Sequence, residues 1–514
     1  MHLEKSAFFM HFSIYICPKI VYSSIYIIKI EKGIKFINII KGNKMTNFNI
    51  ILNQDSYKYS QYKMYDPKMQ YMYSYFEPRT GAKHDQITFF GLQYIIRKFL
   101  SGKVVTQEKI DEAAEICKHH FGNPDLFNIK GWQYILDEHD GYLPIAIFAI
   151  PEYAEIEPSN VMFSIVNTDP KCAWLVNFLE TMLMQVWYPC TVASEAGAMK
   201  RMIKYHYNKS CESLEGSEFA VHNFGLRACT SPESAAIAAA AHLIYFQGSD
   251  SISGIQFLQK YYDKPLNEIN CYAPPASEHS VMTSRGRENE FKVFSDILDA
   301  YPEGLVSVVI DSYDAHNFVS DYAMQLKDKI LARNGKTVFR PDSGDPVSES
   351  VDIIERLDKI FGHSINKRGY KVLNPKVGVI WGDGIDITGM DAILTAIEER
   401  GWAANNIVFG CGGKLNQCVN RDTERFAGKC SAACIDGVWK DVYKDPVTSN
   451  RKGDFTKASK RGLQVYSLNK ELIKGYTNSI PVEGKKMNLE ELYHYQLDGN
   501  SLMKLVFENG KEIK

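Results

Sequence analysis

Four β-branched runs between residues 306 and 413, each followed by a polar or glycine-bearing loop, decide the fold. They read VSVVIDSYD (306–314), KTVFRPDSG (336–344), KVGVIWGDG (376–384) and NIVFGCGG (406–413). The stretches between them space apolar residues as a helix does, at Val347, Val351, Ile354, Leu357 and Phe361 and at Met390, Ile393, Leu394 and Ile397. Alternating strand, loop and helix is typical of βαβ units, so the sequence predicts an α/β fold built on a parallel sheet.

The loops after these strands are candidate ligand-binding segments, because sites in such folds gather at the carboxyl ends of the strands. Arg340 and Asp342 offer a cation and a carboxylate, and Asp383 stands between two glycines. Asp311 follows another strand, and residues 410–413 expose backbone N–H groups that suit a phosphate. Each motif alone is more often an ordinary turn. Together they favour a phosphorylated sugar, since carboxylates suit ribose hydroxyls or Mg²⁺ and arginines suit phosphates.

Segments outside this region predict further elements. Strand-like patterns cover residues 71–77 (YMYSYFE), 463–468 and 503–507, and residues 87–100 (ITFFGLQYIIRKFL) carry apolar side chains at helical spacing. An Ala-rich buried helix is predicted over 230–247. Its start signal is Thr230 as the cap, with Pro232 in the first turn and Glu233 three residues after the cap.

Length and composition indicate an ordinary globular enzyme. A chain of 514 residues is too long for one core, so two domains are expected. The formal net charge is −2, from 59 basic and 61 acidic residues, which argues against a nucleic-acid or membrane-surface binder. The 11 cysteines include no Cys-x-x-Cys pair, so we expect no metal site and reduced thiols in a cytoplasmic protein.

The first 44 residues differ from the rest. They are rich in Ile, Lys, Tyr and Phe, but charged residues and a proline interrupt the apolar run, which falls short of the roughly 20 residues of a membrane span. They also lack a signal-peptide cleavage site. We expect an extension outside the fold, with Met45 as the true start. The alternative is an amphipathic tail that associates with a membrane.

Residues 48–510 resemble the nicotinamide phosphoribosyltransferases, through many short segments that occur in the same order. These segments include DSYKYSQY (55–62), YSYFEPR (73–79), FGLQYI (90–95), WYPCTVAS (187–194), HNFGLR (222–227), PPASEHS (274–280), DSYD (311–314), RPDSG (340–344), GDG (382–384), RD (421–422) and KDPV (444–447). The resemblance implies an irregular TIM-like α/β barrel over 190–420. It also implies a second, discontinuous mixed-sheet α+β domain made of 45–189 and 421–514.

The implied reaction joins nicotinamide to 5-phosphoribosyl 1-pyrophosphate, giving nicotinamide mononucleotide and pyrophosphate for NAD salvage. In this family the histidine that matches His279 is phosphorylated by ATP. A neutral imidazole nitrogen is nucleophilic near neutral pH, which suits that role. Apart from the resemblance, His279 would more often be a structural histidine.

Nicotinamide recognition is implied for Asp250, Phe224 and Tyr57. Asp250 would accept the amide N–H and repel the carboxylate of nicotinate. The alternative for Asp250 is a cap for the helix pattern at 251–262. Phe224 would stack on one face of the pyridine ring and Tyr57 of a second subunit on the other, which implies a homodimer with interfacial active sites.

The remaining family positions surround the sugar and its phosphates. They are Arg227 and Arg340 for phosphate or pyrophosphate, Asp311, Asp342, Gly382 and Asp383 around the ribose, Gly412 and Gly413 at its phosphate, and Arg421 near the product phosphate. Lys429 and Lys444 match less closely, and a solvated surface is their alternative. Mg²⁺ is expected to neutralise the departing pyrophosphate together with the arginines.

Two other functions share parts of this pattern. A nicotinate phosphoribosyltransferase has the same fold, but Asp250 argues against it. A noncatalytic ligand-binding relative is disfavoured by the retained histidine, arginines and carboxylates. The chain departs from the family pattern at Ile310, Cys411, Ala273 and Pro274, and we expect these residues to alter the pocket wall.

Overall fold

Two β-sheets organise the chain in the computed structural model, which describes residues 48–447, 458–469 and 474–513. The extension predicted over 1–44 lies outside the described residues, as does part of the lysine-rich loop that follows Lys444.

The elements are numbered here in chain order. The strands are β1 (Met69–Pro78), β2 (Ile87–Thr88), β3 (Ile145–Ala149), β4 (Glu155–Ile156), β5 (Phe163–Asn167), β6 (Val221–Asn223), β7 (Gly248–Ser249), β8 (Glu303–Val309), β9 (Asn334–Arg340), β10 (His363–Ile365), β11 (Lys371–Leu373), β12 (Val377–Trp381), β13 (Ile407–Cys411), β14 (Phe426–Ile435), β15 (Val438–Asp441), β16 (Leu463–Asn469), β17 (Lys474–Ile480), β18 (Lys504–Glu508) and β19 (Lys511–Glu512). The helices are α1 (Leu92–Ile95), α2 (Gln107–Phe121), α3 (Ile129–Glu138), α4 (Ala173–Phe178), α5 (Glu180–Met184), α6 (Trp187–Ser210), α7 (Pro232–His242), α8 (Ser253–Tyr262), α9 (His279–Thr283), α10 (Glu290–Ala300), α11 (Ala315–Asn317), α12 (Lys327–Ala332), α13 (Pro346–Phe361), α14 (Ile387–Glu399), α15 (Gly413–Asn416) and α16 (Leu489–Leu497).

An antiparallel sheet has the strand order β15-β14-β1-β5-β3-β18-β19 within the described residues. Strand β1 confirms the strand predicted at 71–77, and its second half is buried on both faces. Phe76 stacks on Phe163 of β5 with ring centroids 4.3 Å apart. Strands β16 and β18 confirm the strands predicted near the carboxyl end of the chain.

The second sheet is parallel, in the described order β7-β6-β13-β12-β9-β8. Strands β8, β9, β12 and β13 confirm the four predicted runs, and α13 and α14 confirm the two helices between them. One boundary was wrong. Gly410 and Cys411 belong to β13 rather than to a loop, because they pair with His222 and Asn223 of β6.

The two outer strands of the parallel sheet are joined by residues 272–276, which we call the edge segment. Tyr272 bridges Gly248 of β7, and Ala276 bridges Ser307 of β8. The sheet is therefore curled, with its two edges held by one short stretch of chain.

The helix predicted over 87–100 is only partly right. Ile87 and Thr88 form β2, which pairs with β4. The helix begins after Gly91, whose φ of 102° favours glycine. The carboxylate of Glu152 accepts the N–H groups of Gly91 and Gln93 at 3.0 and 2.6 Å, and so fixes where the helix starts.

The predicted Ala-rich helix is α7, and it is shorter than expected. Its cap is Ser231 rather than Thr230: the Ser231 hydroxyl accepts the N–H of Ser234 at 3.0 Å, and Ser234 completes the capping box. The proline therefore lies at the first helical position, where its missing N–H costs nothing.

From Ile50 onward, the described residues form one compact unit. Strands of the antiparallel sheet come from 69–167 and 426–512, and those of the parallel sheet from 221–411. The division into a 190–420 barrel and a discontinuous second domain stays a prediction. No helix among the described residues is long and apolar enough to cross a membrane.

Candidate active site

The register of the parallel sheet brings the predicted site loops together at the carboxyl ends of the strands. Val309, at the end of β8, pairs with Arg340 at the end of β9. Cys411, at the end of β13, pairs with Asn223 at the end of β6. Because these strands end at matching positions, the segments that follow them start side by side.

A cavity of about 640 Å³ lies inside the curled sheet. Side chains alternate along a strand, so Lys336, Val338 and Arg340 of β9 all face the cavity. Phe224 and Asp250 line it as well, which brings the two residues predicted to bind nicotinamide to the same space as Arg340.

The departures from the family pattern divide into two groups. Ala273 and Pro274 line the cavity, as expected. The expectation is wrong for Ile310 and Cys411, which are fully buried and do not line it. The Cys411 thiol donates instead to the carbonyl of Ile385 at 3.1 Å.

Two glycines lie against the Phe224 ring, and one of them makes room for it. A Cβ at Gly410 would lie 2.0 Å from Cε2 of Phe224, so only glycine fits beneath the ring. A Cβ at Gly382 would lie 3.4 Å from the same atom, 3.4 Å from Oδ1 of Asp342 and 3.7 Å from Cδ of Arg340. An aromatic face, a carboxylate and a guanidinium thus meet around Gly382.

Asp250 lines the cavity, and two arginine charges act on it. Its backbone N–H donates to the carbonyl of Asn223 at 3.1 Å. Partial burial raises the pKa of Asp250, while the charges of Arg340 and Arg227 act to lower it. The alternative role as a helix cap is wrong, because α8 follows Ile252 and receives no side-chain cap bond.

Arg340 has unused hydrogen-bonding capacity. Among the described residues, its buried Nε has no hydrogen-bond partner. A buried donor without a partner is costly, so this nitrogen suits an anionic ligand. Arg227, whose charge also acts on Asp250, is exposed.

The predicted catalytic histidine contacts a predicted ribose carboxylate. His279 is the first residue of α9, and its Nε2 lies 3.1 Å from Oδ1 of Asp311. The His279 side chain is 47% exposed and that of Asp311 only 7%, so the buried partner can orient an accessible ring. Ser277 fixes the loop, since its hydroxyl accepts the N–H of Val309 at 2.9 Å.

Two further loops, with the glycines at 412–413 and with Gly382 and Asp383, lie at the carboxyl end of the parallel sheet. A Cβ at Gly412 would lie 3.7 Å from the carbonyl oxygen of Phe224, and one at Gly413 would lie 3.4 Å from Cβ of Ala228. Asp383 is exposed, and its backbone carbonyl accepts the indole N–H of Trp381 at 2.8 Å.

A second group of predicted residues does not line the cavity. Lys429 lies near Arg79, Lys444 and Lys58, which form with it what we call the basic cluster. Burial lowers the pKa of Lys429, and the charges of Arg79, Lys444 and Lys58 lower it further. The charge of Glu180, which pairs with Lys58, acts to raise the pKa of Lys429. Four cations against one carboxylate leave a net positive charge that favours an anionic ligand. Arg79 was not among the predicted site residues, although it ends the family-like segment YSYFEPR (73–79).

Tyr57 and Arg421 also stand outside the cavity lining. The Tyr57 ring is 57% exposed, with Nζ of Lys58 5.3 Å from its centroid. Arg421 is exposed and pairs with Asp422 at 2.7 Å. The predicted residues therefore include one set that lines the cavity or the strand ends beside it, and a second set, Tyr57, Arg421, Lys429 and Lys444, that does not line it.

One cluster outside these sets has the composition of a metal site. Ligand atoms of His139, Asp169 and Cys172 lie within 4.8 Å of one another. Asp169 already bonds His139 and Tyr134, at 2.9 Å each, and burial raises the pKa of the Cys172 thiol to about 12. The hydrogen bonds between Asp169 and its partners His139 and Tyr134 account for this cluster as a structural contact.

Two family models match the chain. The nicotinate phosphoribosyltransferase (NAPRTase) family model matches residues 219–495. The N-terminal domain model of nicotinamide phosphoribosyltransferase matches residues 49–147.

Individual proteins match over most of their length. A nicotinamide phosphoribosyltransferase of Xanthomonas campestris pv. campestris (strain 8004) is 39% identical over 91% of this chain and 96% of its own. One from Acinetobacter baylyi is 33% identical over 80% of this chain and 86% of its own. The crystal structure of a nicotinate-nucleotide pyrophosphorylase from Pyrococcus furiosus aligns with a TM-score of 0.53 at 16% identity, covering 91% of this chain and 92% of that one. The last comparison shows a shared fold.

Proposed function

The chain belongs to the nicotinamide phosphoribosyltransferase family of NAD salvage enzymes, and from that premise we propose how its residues carry out the transfer. The substrates are nicotinamide and 5-phosphoribosyl 1-pyrophosphate, and the products are nicotinamide mononucleotide and pyrophosphate. The observation that carries the proposal is the meeting of Phe224, Asp250 and Arg340 at one cavity. An aromatic face, a carboxylate and a cation match a pyridine ring, its amide and a phosphorylated sugar.

Binding of nicotinamide follows from this arrangement. The pyridine ring stacks on Phe224, whose position Gly410 makes possible. The Asp250 carboxylate accepts the amide N–H and disfavours the carboxylate of nicotinate. Held in this way, the ring nitrogen faces the anomeric carbon and is oriented for attack.

The sugar and its phosphates lie against the neighbouring loops. Asp342 bonds ribose hydroxyls, and the glycines at 412–413 leave backbone N–H groups for the phosphate. Arg340, whose Nε has no hydrogen-bond partner in the described part of the chain, stabilises the negative charge of the departing pyrophosphate.

ATP and Mg²⁺ belong to the proposal as cofactors. His279 fits the role of phosphoryl acceptor, because its ring is accessible and is oriented by the buried Asp311. The Asp342 carboxylate near Arg340 suits Mg²⁺, and the cations of the basic cluster suit pyrophosphate. Bound Mg²⁺ would neutralise charge on the phosphate oxygens.

A homodimer explains the second set of residues. Tyr57 and the basic cluster do not line the cavity, and a partner subunit that supplies them would complete the active site. We infer that Tyr57 of the partner subunit covers the second face of the ring. We also infer that the curled sheet is an irregular α/β barrel and that the enzyme acts in the cytoplasm.

The decisive experiment is steady-state formation of nicotinamide mononucleotide by the purified protein, with and without ATP, beside His279→Ala. We expect ATP-stimulated product that falls sharply in the variant. A folded dimer that makes no product from nicotinamide would overturn the proposed function.

A further inference from the structure

A buried charge cluster lies outside the residues assigned so far. His84 is 9% exposed, Glu195 of α6 is 3% exposed and Glu424 is fully buried. His84 Nδ1 lies 2.6 Å from Oε1 of Glu424, and His84 Nε2 lies 3.6 Å from Oε2 of Glu195. Lys83 forms a close ion pair with the other oxygen of Glu195. We call these four residues the histidine clamp.

The clamp holds its histidine in the charged form. Burial alone would lower the pKa of His84, but its hydrogen bonds with Glu195 and Glu424 and their charges outweigh that effect and raise the pKa to about 9. Glu424 is fully buried and needs the imidazolium as its counter-charge, whereas Glu195 is shared between His84 and Lys83.

The clamp joins two segments that are far apart in sequence, residues 79–84 and the loop 421–425. The backbone N–H of Lys83 donates to the carbonyl of Thr423 at 2.9 Å, and that of His84 donates to Glu424 at 3.2 Å. Arg79 Nε donates to the carbonyl of Arg425 at 3.3 Å. A cation of the basic cluster is thereby tied to the loop that carries Arg421.

Helix α6 supports the histidine clamp from one side. It is 24 residues long, and Glu195 lies on it. In the first turn of α6, the Tyr188 hydroxyl donates to the carbonyl of Asn416. Asn416 is the last residue of α15, the short helix that begins at Gly413. One rigid helix therefore supports both the glycine loop and, through His84, the loop 421–425.

We propose that His84 is a positioning residue, which pins the loop 421–425 to α6 so that Arg421 and Arg79 present their guanidinium groups to the phosphates of phosphoribosyl pyrophosphate. The inference rests on the proposed function, since it concerns the substrate of that reaction. His84 itself touches no substrate.

The chain offers a matched control on the same helix. His206 of α6 is also buried and also faces two carboxylates, with Nε2 2.9 Å from the exposed Asp391 and Nδ1 3.1 Å from the buried Glu398. Lys209 pairs with Glu398 at 2.8 Å, as Lys83 pairs with Glu195. Each site has a buried histidine, two carboxylates and a lysine. His206, however, contacts α14 and not the loop that carries Arg421.

The test compares His84→Gln with His206→Gln in the full-length enzyme, by melting temperature and by KM and kcat for each substrate. Both variants should lose thermal stability. Only His84→Gln should raise the KM for phosphoribosyl pyrophosphate, by about tenfold, with kcat and the KM for nicotinamide nearly unchanged. An unchanged KM, or an equal rise in both variants, would overturn the proposal.

A second variant covers the case in which His84→Gln does not fold. The double variant His84→Gln/Glu424→Gln removes a buried cation and a buried anion together, which is less damaging than removing one partner. It should show the same rise in KM. A wild-type KM in this folded double variant would refute positioning, whereas an inactive wild-type enzyme would refute the proposed function instead.

Discussion

Gly410 and Phe224 are complementary: a Cβ at Gly410 would lie 2.0 Å from the Phe224 ring, so the glycine creates the space that the ring occupies. We predict that Gly410→Ala displaces the ring and raises the KM for nicotinamide by about tenfold, in line with the loss of one stacking contact. Steady-state kinetics with varied nicotinamide measure this effect.

The control is Gly378→Ala on β12, which also lines the cavity. A Cβ there meets only the flexible side chain of Lys336, at 3.4 Å. Gly378→Ala should leave the KM for nicotinamide nearly unchanged. Equal effects of the two substitutions would mean that the position of Phe224 does not control nicotinamide binding.

Asp250 should set the preference between nicotinamide and nicotinate. Asp250→Asn removes the negative charge that repels the acid, so the ratio of kcat/KM for nicotinate to that for nicotinamide should rise about tenfold or more. Competition between the two substrates measures the ratio. Glu215→Gln is the control, because Glu215 lines the same cavity without belonging to the proposed nicotinamide contacts. An unchanged ratio in Asp250→Asn would contradict the assignment.

Asp311 should act on ATP coupling through His279. Asp311→Asn keeps the size of the side chain but removes the charge 3.1 Å from Nε2, so ATP stimulation should fall by about tenfold or more. Product formation with and without ATP gives the stimulation. His316→Ala is the comparison, since His316 is on the same connection after β8 but pairs with Glu349 at 3.0 Å. Full ATP stimulation in Asp311→Asn would rule out this role.

The division of site residues into two sets predicts shared active sites. Arg340→Ala in the cavity set and Lys429→Ala in the basic cluster should each be nearly inactive alone. When the two variants are mixed under conditions that exchange subunits, half of the dimers contain one intact site, and about a quarter of wild-type activity should return. No recovery in mixtures that form mixed dimers would place both residues in a single-chain site.

A buried histidine at the end of α7 should make the enzyme sensitive to acid. Burial lowers the pKa of His242 to about 4, and its Nε2 donates to the carbonyl of Gly248 at 3.0 Å. The unfolded chain binds the proton below about pH 6.5 and the folded chain only near pH 4, so stability falls as pH decreases through this window. The loss is about 2 kcal/mol between about pH 7.5 and 5.

The variant His242→Gln tests this effect. It should show a smaller drop in melting temperature than the wild type between these two pH values. His316→Gln removes an exposed histidine and should keep the full drop. Identical drops in the wild type and His242→Gln would show that another group causes the acid sensitivity.

The strand-end loops could be predicted from sequence because their geometry depends on local order. Each loop follows a strand, and neighbouring parallel strands end at the same edge, so Arg340 and Asp342 had to meet near Phe224. Asp250 and His279 needed the family resemblance, since nothing in their local sequence separates a ligand-binding side chain from a structural one.

The remaining features depend on contacts between distant segments. The helix start at Gly91 is fixed by Glu152, 61 residues away, which a local pattern does not contain. The pairing of His279 with Asp311 and that of His84 with Glu424 likewise require the folded chain. Ser231 and Thr230 are adjacent, similar capping residues, so the local signal could not separate them.

The edge segment also bears on solubility. An unpaired strand at the edge of a sheet is a template for pairing with another molecule and hence for aggregation. Tyr272 pairs with the backbone of β7 and Ala276 pairs with that of β8, so one short stretch covers both outer strands of the sheet. Pro274 and Pro275 between them carry no N–H group to extend the pairing. Lengthening this stretch should therefore promote self-association, in addition to changing the cavity wall that Ala273 and Pro274 form.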